Sequence, residues 1–145
     1  MIKAKKDLGQ NFLVDQVALN KIFELINPKN TDHFLEIGPG EGALTKILAN
    51  STGRLDAVEL DRDLLLSLEL INSEKLYIHN ENILDFKISD ILGNKKLRIV
   101  GNLPYNISTD IMLWAFNNLS EFEDMHFMFQ KEFGERLSAE PNNKS

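Results

Sequence analysis

Asn102, Pro104 and Tyr105 stand almost side by side in GNLPYN (101–106), directly after the apolar run LRIV. Together they suit a substrate with an exocyclic amine on an aromatic ring, such as adenine. The nitrogen of that amine is a poor nucleophile because its lone pair is delocalised into the ring. Two acceptors aimed at its hydrogens, the side-chain oxygen of Asn102 and the carbonyl of Leu103, would draw it towards a tetrahedral form. Pro104 fixes φ and brings no competing N–H. Tyr105 can stack on the base, a contact worth roughly 1–3 kcal/mol where single-stranded nucleic acid is bound. If the electrophile is a methyl group on a sulfonium, the main requirement is in-line alignment, with no perturbed general base. The same composition also suits a plain turn.

A second cluster supplies a place for the donor. EIGPGEG (36–42) puts Gly38, Gly40 and Gly42 between a short apolar segment and a helical one. A loop so bare lets a ligand approach main-chain N–H groups without Cβ interference. Glu59 follows 19 residues after Gly40, and its carboxylate can accept from both hydroxyls of a ribose. Gly38-x-Gly40-x-x-Ala43 with a later acid also satisfies the dinucleotide fingerprint, so an NAD-dependent oxidoreductase is a competing reading. Glu36, two residues before the first glycine, and the GNLPYN motif favour a different adenosine-containing cofactor.

Chemistry at strand ends requires strands. HFLEIG (33–38), RLDAVEL (54–60), KLYIHNE (75–81), LRIVGNL (97–103) and MHFMFQ (125–130) read as five of them. Between them, helical spacing marks ALTKILAN (43–50), DLLLSLELI (63–71) and STDIMLWAFNNL (108–119). In the last of these, Ile111, Met112, Ala115, Phe116 and Leu119 form one broad apolar face. An earlier helix carries Val14, Val17, Ala18, Ile22, Leu25 and Ile26 and ends before Pro28, and KEFGERL (131–137) begins another. Strands that are apolar almost throughout and alternate with helices imply an α/β fold. Its sheet is mostly parallel, with helices on both faces. Ligands in such sheets lie beyond the carboxyl ends of the strands, where the glycine loop and GNLPYN both fall.

The 145 residues suggest one domain, and an absence of cysteine excludes thiolate metal sites and thiol nucleophiles. No run approaches the roughly 18 apolar residues of a membrane span. The expectation is a soluble cytoplasmic protein. A net charge of −6 argues against nucleic acid as partner, although Lys3, Lys5, Lys6 and, later, Lys95, Lys96 and Arg98 form local basic clusters. Each cluster reads more simply as solvated surface. His33, His79 and His126 show no ligand spacing, so no metal is expected. Trp114, Phe116, Phe127 and Phe129 read as core, and Asp61 and Asp63 as a solvated helix start. Lys131, Glu132 and Arg136 read as a paired helix surface.

KKDLGQNFL (5–13), FLEIGPGEGALT (34–45), VELD (58–61), GNLPYNIST (101–109) and DMHFMFQKEFGERL (124–137) together resemble the KsgA/Erm family of ribosomal RNA adenine N6-dimethyltransferases. The resemblance spans nearly the whole chain, in the family's motif order. Its wording is similar to the KsgA branch, which modifies two adjacent adenosines near the 3′ end of small-subunit (16S-type) rRNA. The Erm branch, acting on the large subunit, matches less well. The resemblance implies a Rossmann-like class I fold that binds S-adenosylmethionine. Gln10, Asn11 and Leu13 would contact the cofactor, with Phe12 beside it or the target base. The loop at Gly38 and Gly40 would approach the methionine portion, and Glu59 the ribose. Asn102, Leu103, Pro104 and Tyr105 would then hold the target amine, with Asn102 between it and the cofactor.

One position departs from the family pattern. Where the family usually has an acid accepting from the cofactor's adenine amine, this chain has Asn82, whose uncharged oxygen should hold that bond less strongly. Further strands, a second aromatic over the target base and a helical domain are also expected of the family. Residues 1–138 therefore read as a methyltransferase domain incomplete at its C-terminal end, with 139–145 a polar tail. The expected molecule is a monomer, and a cofactor-fold scaffold serving ribosome assembly without catalysis is a third reading.

Overall fold

A computed structural model describes residues 15–103 and 105–129, with Tyr105 placed by its backbone alone. The expected helix at 131–137 and the basic cluster at Lys3, Lys5 and Lys6 lie outside the described residues.

Five parallel strands form one sheet: β1 (His33–Ile37), β2 (Arg54–Val58), β3 (Leu76–His79), β4 (Leu97–Leu103) and β5 (Phe122–Phe129). Their order across the sheet is β3-β2-β1-β4-β5. Helices α1 (Gln16–Ile26), α2 (Ala43–Ala49), α3 (Arg62–Glu69) and α4 (Ser108–Asn117) connect or cover them. Asp15 caps α1 by accepting from the Val17 and Ala18 N–H groups, and Asp61 caps α3 through the Asp63 N–H. Such caps satisfy donors that have no partner inside the helix. Asp61 and Asp63 are thus a helix start, as their sequence suggests.

Alternation along the strands divides the core in two. Phe34, Leu55 and Val100 point to one face, where Leu19, Ile22 and Ile26 of α1 and Leu44 and Leu48 of α2 cover them. Leu35, Ile37, Val58, Ile99 and Leu103 point to the other, against Ile111, Trp114 and Ala115 of α4. The long return from β3 to β4 adds Ile83, Phe86, Ile88 and Ile91 to this second cluster through two 3-10 turns, Ile83–Asp85 and Ile88–Asp90. Those turns carry too short a periodic pattern to be visible beforehand.

Several expectations need correction. Phe116 and Leu119 are 56% and 49% exposed, so the buried face of α4 is narrower and runs through Ser108, Ile111, Trp114 and Ala115. Val17 and Leu25 of α1 are likewise exposed, and the helix buries Leu19, Ile22 and Ile26. Strand β5 starts at Phe122, three residues before MHFMFQ. Arg98 is no solvated residue. Its guanidinium pairs with Asp32 at 2.8 Å and Asp124 at 2.9 Å, donates to the Ile26 carbonyl, and lies over the Phe34 ring. It thereby ties the end of α1, the approach to β1, and strands β4 and β5. Two of the histidines converge on one buried acid. His33 and His79 each lie 2.7 Å from opposite oxygens of Asp56, which is fully buried and also accepts from Arg54. Burial alone would raise the Asp56 pKa, but the hydrogen bonds from His33, His79 and Arg54 outweigh it and hold the group far below the usual carboxylate range.

Removing one partner of a buried ion pair strands the other, at about 3–5 kcal/mol. Arg98→Ala is expected to lower unfolding free energy by about 3 kcal/mol. Lys95→Ala and Lys96→Ala, at exposed positions, should each change it by less than ~0.5 kcal/mol. Urea denaturation of the three variants distinguishes a structural arginine from one member of a basic patch.

Candidate active site

Strand order reverses between β1 and β4. The connections from β1 to β2 and from β2 to β3 step one way across the sheet, and those through β4 and β5 step the other. The loops leaving β1 and β4 therefore diverge to opposite faces and leave a crevice at their carboxyl ends. Ile37 lies opposite Gly101 in the ladder, which brings Gly38 and Asn102 together at its mouth.

The glycine loop has the backbone its composition implies. Gly38, Gly40 and Gly42 take φ of 63°, 61° and 92°, values that residues with a Cβ rarely adopt. A Cβ on Gly38 would lie 3.5 Å from the main-chain oxygen of Asn102, so the loop passes close over the end of β4. At Gly40 nothing among the described residues lies within 4 Å of the corresponding point. The loop is open where a ligand would approach.

Glu59 and Gly40 are joined directly. One carboxylate oxygen accepts from the Gly40 N–H at 3.1 Å, and the other from the Asp61 N–H at 3.0 Å. Glu59 is 8% exposed, and its carboxylate braces the loop from the end of β2. Asn80, which the sequence did not single out, donates to the carbonyls of Glu59 and Leu60 and fixes the end of β2 against that of β3.

Asn102 carries the least satisfied group among the described residues. Its Oδ1 is buried and has no hydrogen-bond partner. Buried polar atoms are nearly always paired, and an orphan acceptor costs about 1–3 kcal/mol. Such a cost is tolerable where a bound molecule supplies the donor. Leu103 buries its side chain completely, so only its main chain can serve at the crevice. Asn82 begins the turn after β3, and its Oδ1 accepts from the Leu84 N–H at 3.0 Å. That bond orients the amide and occupies part of the acceptor capacity expected to meet adenine. Gln10, Asn11, Leu13 and Pro104 lie outside the described residues, as does Phe12.

Two residues here had little signal in the sequence. Glu36 is 2% exposed and accepts from the Thr45 hydroxyl at 2.6 Å. Burial raises its pKa, the Thr45 bond lowers it, and nearby Glu59 raises it, leaving the carboxyl at about 7. In the sequence Glu36 is only an acid two residues before a glycine. Its burial depends on α2 folding back over β1.

The family model for "Ribosomal RNA adenine dimethylase" matches residues 1–145. The chain belongs to the ribosomal RNA adenine dimethylase family. It is 46% identical over 145 residues to a Xylella fastidiosa protein named ribosomal RNA small subunit methyltransferase A, covering 97% of this chain and 55% of that protein. The chain thus spans about half the length of the curated relatives it matches. Among solved structures it is similar to a dimethyladenosine transferase from Plasmodium falciparum, with a TM-score of 0.72 and 23% identity, over 89% of this chain and 46% of that one. It is also similar to the 23S rRNA methyltransferase ErmE, with a TM-score of 0.70 and 25% identity, over 90% of this chain and 52% of that one. The fold is accordingly the Rossmann-like methyltransferase fold expected, and the oxidoreductase reading is set aside.

A buried carboxyl held at about 7 binds its proton more tightly folded than unfolded between about pH 4.3 and 7. The Glu36 contribution to stability is therefore present below that window and is lost as pH rises through 7. The size is on the order of 3 kcal/mol. Urea midpoints at pH 5 and pH 8 should fall more for the wild-type chain than for Glu36→Gln. Equal falls would mean that Glu36 ionises normally.

Proposed function

We propose that this chain is the cofactor-binding and catalytic part of an enzyme that dimethylates adenine N6. The proposed target is two adjacent adenosines near the 3′ end of small-subunit rRNA. One observation carries the reading: the buried, unpartnered Oδ1 of Asn102, held beside the glycine loop where strand order reverses. An exocyclic amine has the two hydrogens that this oxygen and the neighbouring Leu103 carbonyl would accept. Accepting them localises the nitrogen lone pair along the line facing the glycine loop.

S-adenosylmethionine suits this loop, and when bound it supplies an electrophilic methyl group on a sulfonium. Gly38 and Gly40 would pass beside its methionine portion, Glu59 would accept from its ribose, and Asn82 would meet its adenine. Gln10, Asn11 and Leu13 are proposed to complete this side by their match to the family motif. Tyr105 would stack on the target base and Pro104 would hold the turn. The small-subunit target follows from relatives such as the Xylella protein, whose name specifies that subunit. Residues 1–138 are proposed as the cofactor-binding domain, in a cytoplasmic enzyme that acts as a monomer.

The test is methyl transfer from radiolabelled S-adenosylmethionine to unmodified small subunits, using the protein extended to its relatives' length. Asn102→Ala should reduce turnover by about 100-fold or more, the range for losing one preorganised polar contact at a reacting centre. Activity within twofold of wild type would remove Asn102 from the mechanism. A separate variant addresses the cofactor side. Asn82→Asp gives one oxygen to the Leu84 N–H and another to the adenine amine. It should tighten S-adenosylmethionine binding about 10-fold, the gain of one charge-assisted hydrogen bond at ~1.4 kcal/mol.

A further inference from the structure

Two carboxyl groups bracket the glycine loop, and the chemistry above employs only one of them. Glu59 braces Gly40 from the end of β2. Glu36 lies within β1, beneath the loop, and among the described residues the Thr45 hydroxyl is its one hydrogen-bond donor. Thr45 sits in the first turns of α2, so this contact joins the helix after the loop to the strand before it. Among the described residues, the strands and helices packed directly around Glu36 place apolar side chains against it. Its ladder neighbours are Ala57 and Val100, and α1 contributes Leu19, Ile22 and Ile26 to this side of the core. Lys46 on α2 and Glu41 in the loop are exposed. Glu59 is the charged group that acts on Glu36, and it opposes a second negative charge there.

We propose that Glu36 couples the seating of S-adenosylmethionine in the glycine loop to the release of a proton to solvent. This rests on the cofactor reading above. The cofactor brings a fixed sulfonium charge and an ammonium, and a cation close to a carboxyl favours its ionised form. Glu36 then titrates lower in the complex than in the free protein. Between the two values, binding expels the proton and affinity rises with pH. Above about pH 7 the free carboxyl is already ionised, and the release fades. The demethylated product, S-adenosylhomocysteine, has a neutral thioether and releases less. Transfer of the methyl group therefore weakens the electrostatic hold on the spent cofactor.

Titration calorimetry of the chain with S-adenosylmethionine, in two buffers of different ionisation enthalpy, counts the protons directly. About half a proton per cofactor is expected to leave at pH 7, fading by pH 8.5. The product should release fewer. Glu36→Gln is expected to keep binding but lose this release. At pH 6.5 the cofactor's own amino group, titrating near ~8, is protonated both free and beside a carboxylate, so the comparison at that pH reports Glu36. Thr45→Val removes a contact that favours ionisation, and should move the release window to higher pH. A proton count unchanged in Glu36→Gln, or a window unmoved in Thr45→Val, would overturn the inference while leaving the cofactor reading standing. A folded chain that binds no S-adenosylmethionine at any pH would overturn both.

Discussion

Everything at the candidate site depends on the parallel pairing of β1 with β4. These strands are far apart in sequence, and the chain reaches β4 only after building β2 and β3 on the other side. The register sets Gly38 against Asn102, so a loop shaped for a ligand meets an acceptor without a partner. Neither motif has this meaning alone. A glycine loop beside β2 only would be a binding turn, and GNLPYN at a sheet edge would be punctuation.

The two ends of the sheet treat charge differently. Near the amino ends of β1 and β4, Arg98 is matched by Asp32 and Asp124. On the face occupied by β2 and β3, Asp56 is surrounded by His33, His79 and Arg54. These clusters are closed, and their charge-assisted bonds serve the fold. At the carboxyl ends, Glu36 and Glu59 lie near enough for one to oppose the ionisation of the other. Glu59 accepts from the main chain of Gly40 in the loop and of Asp61 after β2, and Asn102 keeps one acceptor in reserve. Stability is concentrated below the crevice, while the groups suited to a cationic cofactor and an amine substrate gather at its mouth.

Much of this was legible in the sequence because it is local. Five apolar runs, three glycines within five residues and an acid at the end of the second strand define the sheet and loop without tertiary knowledge. The end of β4 at Leu103 was legible in the same way, since the apolar run LRIV leads straight into GNLPYN. What stayed hidden is what folding brings together. Arg98 looked like part of a basic run, and its buried role appears only when Asp32 and Asp124 converge on it. His33 and His79, 46 positions apart, meet through Asp56 because β1 and β3 flank β2. Phe116 followed the apolar pattern of α4 yet faces outward, because the helix needs only a narrow stripe to cover the sheet. Glu36 was hidden for the same reason, its burial being imposed by a helix that follows it.

The central claim is that donor and acceptor meet where β1 and β4 diverge. Backbone amide NMR of the labelled chain, titrated with S-adenosylmethionine, tests it most directly. The account predicts the largest shifts at Gly38 to Gly42, at Glu59 to Asp61 and at Asn102 to Leu103, with the amides around Asp32 and Arg98 unmoved. Shifts centred on the amino ends of the strands, or none at saturating cofactor with the fold intact, would contradict it.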